Sequence, residues 1–298
     1  MADDPWKQTK QILERASVLL HLGRAAQALS LCDEAVERAP DRAEPFVSRA
    51  RALLMLNRPR DAERAAREAV ARDPLDAFAR FLVARSAMVA QEPARAVPLF
   101  REALERAPQD PIAHVYLGVC LSEIHEDALA IASVERALAL GPDEHTVLTN
   151  AARVLSEQGH PLRAEQLLLR ALRSQPNDGK TLRILSWVRA KAGKSLQSEM
   201  VAREAVTAEP NSAHGWWTLG MAAWRLQRLD EAERALREAF RLRPTDVAIA
   251  HDLASILWRK DRPDAAHAVL SRALSDGASA PELRVLRATI ENDPHRHR

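Results

Sequence analysis

Residues 213–246 read AHGWWTLGMAAWRLQRLDEAERALREAFRLRPTD, with Pro244 three residues from the end. That proline belongs to a series. Pro40, Pro74, Pro108, Pro142, Pro176, Pro210 and Pro244 each stand 34 residues after the last. A fixed period of this size marks an array of stacked units, each too small to bury its apolar face alone. Counting each proline as position 32 divides the chain into 9–42, 43–76, 77–110, 111–144, 145–178, 179–212, 213–246 and 247–280.

Other columns then align. Position 27 is Ala35, Ala69, Ala103, Ala137, Ala171, Ala205, Ala239 and Ala273, and position 20 is Ala in every unit except at Ser198. Position 8 is small throughout: Ala16, Ala50, Ala84, Gly118, Ala152, Ser186, Gly220 and Ala254. Helices that cross at about 8–10 Å need small side chains at the contact. Each unit therefore holds two helices, with a break near position 15 marked by Gly23, Asn57, Gly159 and Gly193. The polar residues after the prolines, Asp41, Asp76, Asp110, Asp143, Asn177, Ser212 and Asp246, are placed to cap the following helix. Asp4 with Pro5 starts the first helix about a turn early, and Pro281 opens a last amphipathic helix to 291 that covers the final repeat.

Composition agrees with an all-helical chain of 298 residues. Aromatic residues are 4% and glycines number 9, so the residues that strands and their turns require are scarce. Lys and Arg total 43 against 41 Asp and Glu, with the signs interleaved, which argues against a nucleic-acid partner. Cys32 and Cys120 are too few for a disulfide framework or a zinc site and read as buried, inert thiols. The first apolar run, residues 18–22, is too short for a signal peptide or a membrane span, so the expected address is the cytoplasm.

The sequence holds no glycine-rich phosphate loop, nucleophile elbow, His-Glu-x-x-His or Cys-x-x-Cys. No enzyme activity, cofactor or metal is expected. His214, His251 and Asp252 are the one set worth weighing as an acid–base or metal cluster, and nothing at ligand spacing supports it. His295 and His297 read as part of a mobile tail.

The small residue at 8, Ala at 20 and 27 and Pro at 32 resemble the tetratricopeptide repeat family, bacterial type, over residues 9–280. The family's Trp at position 4 appears here only as Trp216. Phe46, Ile12, Leu148 and Leu182 replace it elsewhere, and Arg80 and His114 are polar exceptions. The resemblance implies a right-handed α-solenoid of eight 34-residue helix-turn-helix repeats plus a C-terminal capping helix, forming one superhelical domain over 1–298. It also implies that positions 2, 5, 6, 9, 12 and 13 of each first helix line a concave groove.

Two zones fall on those positions. One is apolar: Phe78, Phe81, Leu82, Met88, Val89, Val115, Tyr116 and Val119, with Arg85 among them. The other joins aromatics to cations: Arg183, Trp187, Lys191, Trp217, Met221, Trp224, Arg225, Trp258 and Arg259. Trp and Arg dominate binding hot spots, so the second zone is the better candidate site. Positions 5 and 12 also pack neighbouring repeats, which makes Trp187 at position 9 the tryptophan least explained by packing. The implied partner is a protein or peptide with acidic and bulky apolar residues. Self-association, or a place in a larger bacterial assembly through the apolar zone, is the alternative. Two family sub-types do not fit. A carboxylate clamp would need Lys at 5 with Asn at 9 in one repeat, and an Asn ladder at position 6 is matched only by Asn150.

Overall fold

The computed structural model describes residues 5–278 and 280–291. Asp4, expected as the first cap, and the tail with His295 and His297 lie outside the described residues. Among the described residues there are seventeen α-helices and no strand. The chain divides into two compact units, residues 1–158 and 159–298.

The first unit contains α1 (Pro5–His21), α2 (Ala25–Arg38), α3 (Ala43–Met55), α4 (Pro59–Arg72), α5 (Ala77–Val89), α6 (Pro93–Arg106), α7 (Pro111–Glu123), α8 (Asp127–Leu140) and α9 (His145–Glu157). The second contains α10 (Pro161–Ser174), α11 (Gly179–Lys191), α12 (Ser195–Ala208), α13 (Ala213–Arg225), α14 (Leu229–Leu242), α15 (Val247–Arg259), α16 (Pro263–Ser275) and α17 (Pro281–Glu291). From α3 onward the first helix of each repeat begins at position 1 and the second at position 17. α1 has 17 residues where later first helices have 13. α17 packs against α15 and α16, as a cap over the last pair.

The small columns are the helix crossings. All eight alanines at position 27 are buried, as are the residues at positions 8 and 20. A Cβ on Gly118 would come within 2.8 Å of Val134 and 3.1 Å of the Ala130 carbonyl, and one on Gly220 within 2.7 Å of Leu236. Position 8 of the first helix therefore rests on positions 20 and 24 of the second. Where both small residues are serines, Ser186 Oγ donates to the Ser198 carbonyl at 2.9 Å, so the buried hydroxyl keeps a partner.

Two details of the sequence reading change. The N-cap is the residue directly before each first helix, so Asp76, Asp110, Ser212 and Asp246 cap as expected. Asp143 and Asn177 fall one residue early, and Glu144 and Asp178 accept the first-turn N–H groups instead. Asp41 is also one residue early, and Arg42 in the capping place makes no side-chain cap.

The break at position 15 is also more uniform than its glycines suggest. All eight residues there have positive φ, including Asn57 (54°), Gln91 (62°), His125 (62°), Gln227 (60°) and Asp261 (57°). A left-handed residue after the first helix turns the chain back for the second. The eighth repeat ends differently, since Ala278 replaces the proline. α16 stops at Ser275, and Gly277 takes a φ of 105°.

Candidate functional site

The aromatic and cationic zone lies wholly in the second unit, on α11, α13 and α15. α11 packs on α13. α13 is tied to α15 by Trp217, whose Nε1 donates to Asp252 Oδ2 at 2.8 Å. Trp216, Trp217, Trp224 and Trp258 all pack against the apolar core of the C-terminal repeats. Trp217 at position 5 is therefore an inter-helix strut as well as a surface residue.

The remaining members arrange themselves in two lines. Lys191, Arg225 and Arg259, all at position 13, are exposed at the ends of three successive first helices. One turn back or on the adjoining helix lie half-buried tryptophans. Lys191 Nζ stands 4.6 Å from the centre of the Trp187 ring, and the Arg259 guanidinium 5.8 Å from that of Trp224. Met221 is half-buried at position 9. Cations at helix C-termini are also favoured by the helix dipole, which explains their place but not the pairing of Lys191 and Arg259 with rings.

Arg183 is half-buried at position 5 of α11. Burial pulls its guanidinium below the ordinary arginine value, and its Nε has no hydrogen-bond partner. His214 is likewise held below its ordinary value, first by burial and then by Arg183, against the pull of Asp246 at 3.7 Å. His251 Nδ1 lies 3.3 Å from Asp252 Oδ1. The two histidines thus face different carboxylates and do not converge on one centre. Among the described residues no group of three or more His, Cys, Asp or Glu is placed to hold a metal ion.

The apolar zone, in the first unit, is mostly core. Phe81 and Val115 at position 5, Leu82 at position 6 and Val119 at position 9 are at most 4% exposed, because these positions face neighbouring helices there. Phe81 is withdrawn as a surface residue. Its ring packs between Phe78 at 5.8 Å, Phe100 at 5.9 Å and Tyr116 at 6.0 Å. What reaches the surface is Phe78, 45% exposed, beside half-buried Tyr116, over which Arg85 lies at 5.7 Å. Asn150, the lone ladder residue, is buried and donates to the Thr146 carbonyl at 2.8 Å. Both cysteines are buried and unpaired, and burial pushes each thiol up to about 12, so neither is a thiolate nucleophile near neutrality.

Sequence reading missed a ladder of ion pairs in the second unit. Glu165 accepts from Lys194 at 2.6 Å, Glu199 from Arg228 at 2.9 Å and Glu233 from Arg262 at 2.8 Å. Each pair joins position 21 of one repeat to position 16 of the next. The signal was present as a carboxylate and a cation 29 residues apart, three times in succession.

Tetratricopeptide repeat family models match residues 13–34, 47–111, 81–145, 185–247 and 223–290. No curated protein sequence matches the chain. Among solved structures, a chain of the APC/C hetero-tetramer Cut9-Hcn1 is similar at a TM-score of 0.71 and 18% identity over 94% of this chain and 55% of that one. Yeast Tom70 is similar at 0.65 and 14%, over 90% of this chain and 58% of that one. A tetratricopeptide repeat protein from Parabacteroides merdae gives 0.64 and 12%, over 84% of this chain and 99% of that one. The chain thus spans little more than half of the first two. At these identities the likeness shows the fold alone.

Proposed function

The chain belongs to the tetratricopeptide repeat family, whose fold is typical of protein–protein interaction scaffolds, and from that premise we propose that it is a non-enzymatic adaptor. It captures a segment of a partner protein along the first helices of the second unit. The observation that carries this reading is the line of Lys191, Arg225 and Arg259 running beside Trp187, Trp224 and Trp258. Aromatic area supplies binding energy with few rotors to freeze, and the cations select acidic residues between bulky apolar ones. The same reading places the protein in a bacterial cytoplasm, in keeping with its two unpaired cysteines.

The test is an affinity capture of the partner from native lysate, comparing wild type with Trp187→Ala. The expected loss is more than about 1 kcal/mol with an unchanged circular dichroism spectrum. A partner held equally by both proteins overturns the reading.

A second reading, self-association or a place in a larger assembly, is favoured by a different surface. Leu162 (67% exposed) and Leu169 (42%) on α10, with Leu196 (60%) and Met200 (63%) on α12, are large apolar side chains left in water. Sedimentation at rising concentration tests it. A mass that grows for wild type and stays monomeric for Leu196→Glu supports this reading, and a monomer at every concentration removes it.

A further inference from the structure

From α3 onward, each first helix packs on the second helix of the repeat before it. α1 has no such neighbour among the described residues, so the face that a preceding repeat would cover lies open. The interior repeats show what that face is. Position 10 is at most 2% exposed in the seven later repeats, from Ala52 to Ile256, and position 14 is half-buried in each. In the first repeat the same two positions are Val18, 59% exposed, and Leu22, 63% exposed. Array ends ordinarily present a polar outer face. Gln11 and Arg15, at positions 3 and 7, fit that rule, and Val18 and Leu22 break it. Beside them is a hollow of about 600 Å³ lined by Gln11, Glu14, Arg15, Val18, Leu19 and Leu31. Its interior counterpart is lined in part by Arg49, Leu53 and Ala65, which hold the same positions 7, 11 and 23 as Arg15, Leu19 and Leu31. The opposite wall of that counterpart is α2, through Leu29 and Asp33. Before α1, no described residue forms such a wall.

The contacts of α2 specify what fits there. Ala25, Ala28 and Leu29 pack in one cluster with Ala52 and Leu56, the position 10 and position 14 residues of the second repeat. Asp33 Oδ1 stands 2.8 Å from Nε of Arg49 at position 7. Arg15 is the position 7 residue of the first repeat, exposed and without an ion pair among the described residues. We propose that this face docks an amphipathic α-helix of a partner protein, seated on α1 as α2 is seated on α3. The partner helix carries small or apolar residues at i, i+3 and i+4, against Val18 and Leu22, and a carboxylate at i+8, against Arg15. Those are the spacings of Ala25, Ala28, Leu29 and Asp33. A helix closes its own backbone hydrogen bonds, whereas an extended segment would leave N–H and C=O groups unpaired against apolar side chains. The docking residues hold positions 7, 10 and 14, none of which belongs to the groove positions of the adaptor reading. The inference goes beyond that reading and does not depend on it.

The experiment uses the full chain and a labelled synthetic peptide with the sequence of α2, residues 25–38. An isolated helix of this length is marginal in water, so a staple in place of Ser30 and Glu34 holds it helical. Fluorescence anisotropy should show saturable binding to the wild-type chain. Leu22→Glu should weaken it by roughly tenfold or more, with an unchanged circular dichroism spectrum. Arg15→Glu should weaken it by roughly tenfold, and a peptide carrying Asp33→Lys should recover that loss. No binding to wild type, or binding untouched by Leu22→Glu, overturns the site. A loss in Arg15→Glu that the Asp33→Lys peptide does not recover overturns the register. Binding that responds to Arg49→Glu and not to Arg15→Glu means that the peptide displaces α2 from its own seat, which also overturns the proposal. Sedimentation tests the choice of occupant. A wild-type dimer that Leu22→Glu converts to monomer would show a second copy covering the face, and overturns the partner helix.

Discussion

The indole Nε1 of Trp216 donates to the carbonyl oxygen of Pro210, 2.8 Å away and six residues back. The same bond recurs with different chemistry at position 4 of other repeats. Arg80 Nη2 donates to the Pro74 carbonyl at 2.9 Å, and His114 Nε2 pairs with the Pro108 carbonyl at 3.1 Å. Phe46 has no donor, and there Arg72 supplies one, with its Nε 2.5 Å from the Pro40 carbonyl and its guanidinium 3.9 Å over the Phe46 ring. Arg80 and His114, polar exceptions in the sequence, thus do what the tryptophan does. In the third, fourth and seventh repeats position 4 ties the first helix to the proline turn before it.

Arg80→Met keeps the aliphatic stem and removes the donor. It should cost about 0.5–1.5 kcal/mol, the net worth of one hydrogen bond, read as a lower urea midpoint. An unchanged midpoint would mean that the Pro74 carbonyl is as well served by water.

Gln91 and Gln227 hold the left-handed conformation with a Cβ in place. That conformation costs an L-residue about 1–2 kcal/mol, partly offset against glycine's greater freedom in the unfolded chain. Gln91→Gly and Gln227→Gly should each raise stability by about 0.5–1 kcal/mol. Gly23 has a φ of 72° and open space around its missing Cβ, so Gly23→Ala should lose stability through backbone strain alone. Denaturation midpoints moving in the same direction for all three variants would contradict this account.

How much was legible follows from what repeats impose. The alanine columns and the prolines were readable because every helix crossing has the same steric requirement. The left-handed turn was half readable. Gly23, Gly159 and Gly193 announce it, while Gln91, His125, Gln227 and Asp261 adopt it because the second helix must return at that place. Asp143 and Asn177 misled because an acidic residue follows each of them, and the first helical residue, not cap preference, decides which one caps. Phe81 misled because an apolar residue at position 5 looks alike whether it lines a surface or packs under Phe78. The ladder from Glu165 to Arg262 was hidden among many charges of both signs, where long side chains leave the pairing open.

Ala137 is fully buried at position 27 of the fourth repeat. Ala137→Leu inserts three carbons into a helix crossing and should cost about 1–3 kcal/mol, lowering the melting temperature. The same change at Ala139, exposed on the same helix, is the control and should leave stability within about 0.5 kcal/mol. Equal effects at the two positions would mean that the small column does not set the crossing.

Glu233 gives stability a dependence on acid. Burial pushes its carboxyl up, but hydrogen bonds from Lys260 and Arg237 outweigh that and hold it below its ordinary 4.5. Glu165, bonded by Lys194 and Arg189, and Glu63, bonded by Arg95 and Arg67, are held below theirs by the same balance. The unfolded chain therefore binds protons at these groups first as pH falls. Their contribution is complete above about pH 4.5 and is lost as pH falls through the lower folded values. Glu233→Gln should cost about 1–3 kcal/mol at pH 7. The gap between wild type and variant should then close as the pH is lowered from 5 toward 3, followed by urea midpoints at each pH. A gap that stays constant over that range would show that Glu233 holds α14 to the turn between α15 and α16 through packing and neutral hydrogen bonds, with its charge contributing nothing.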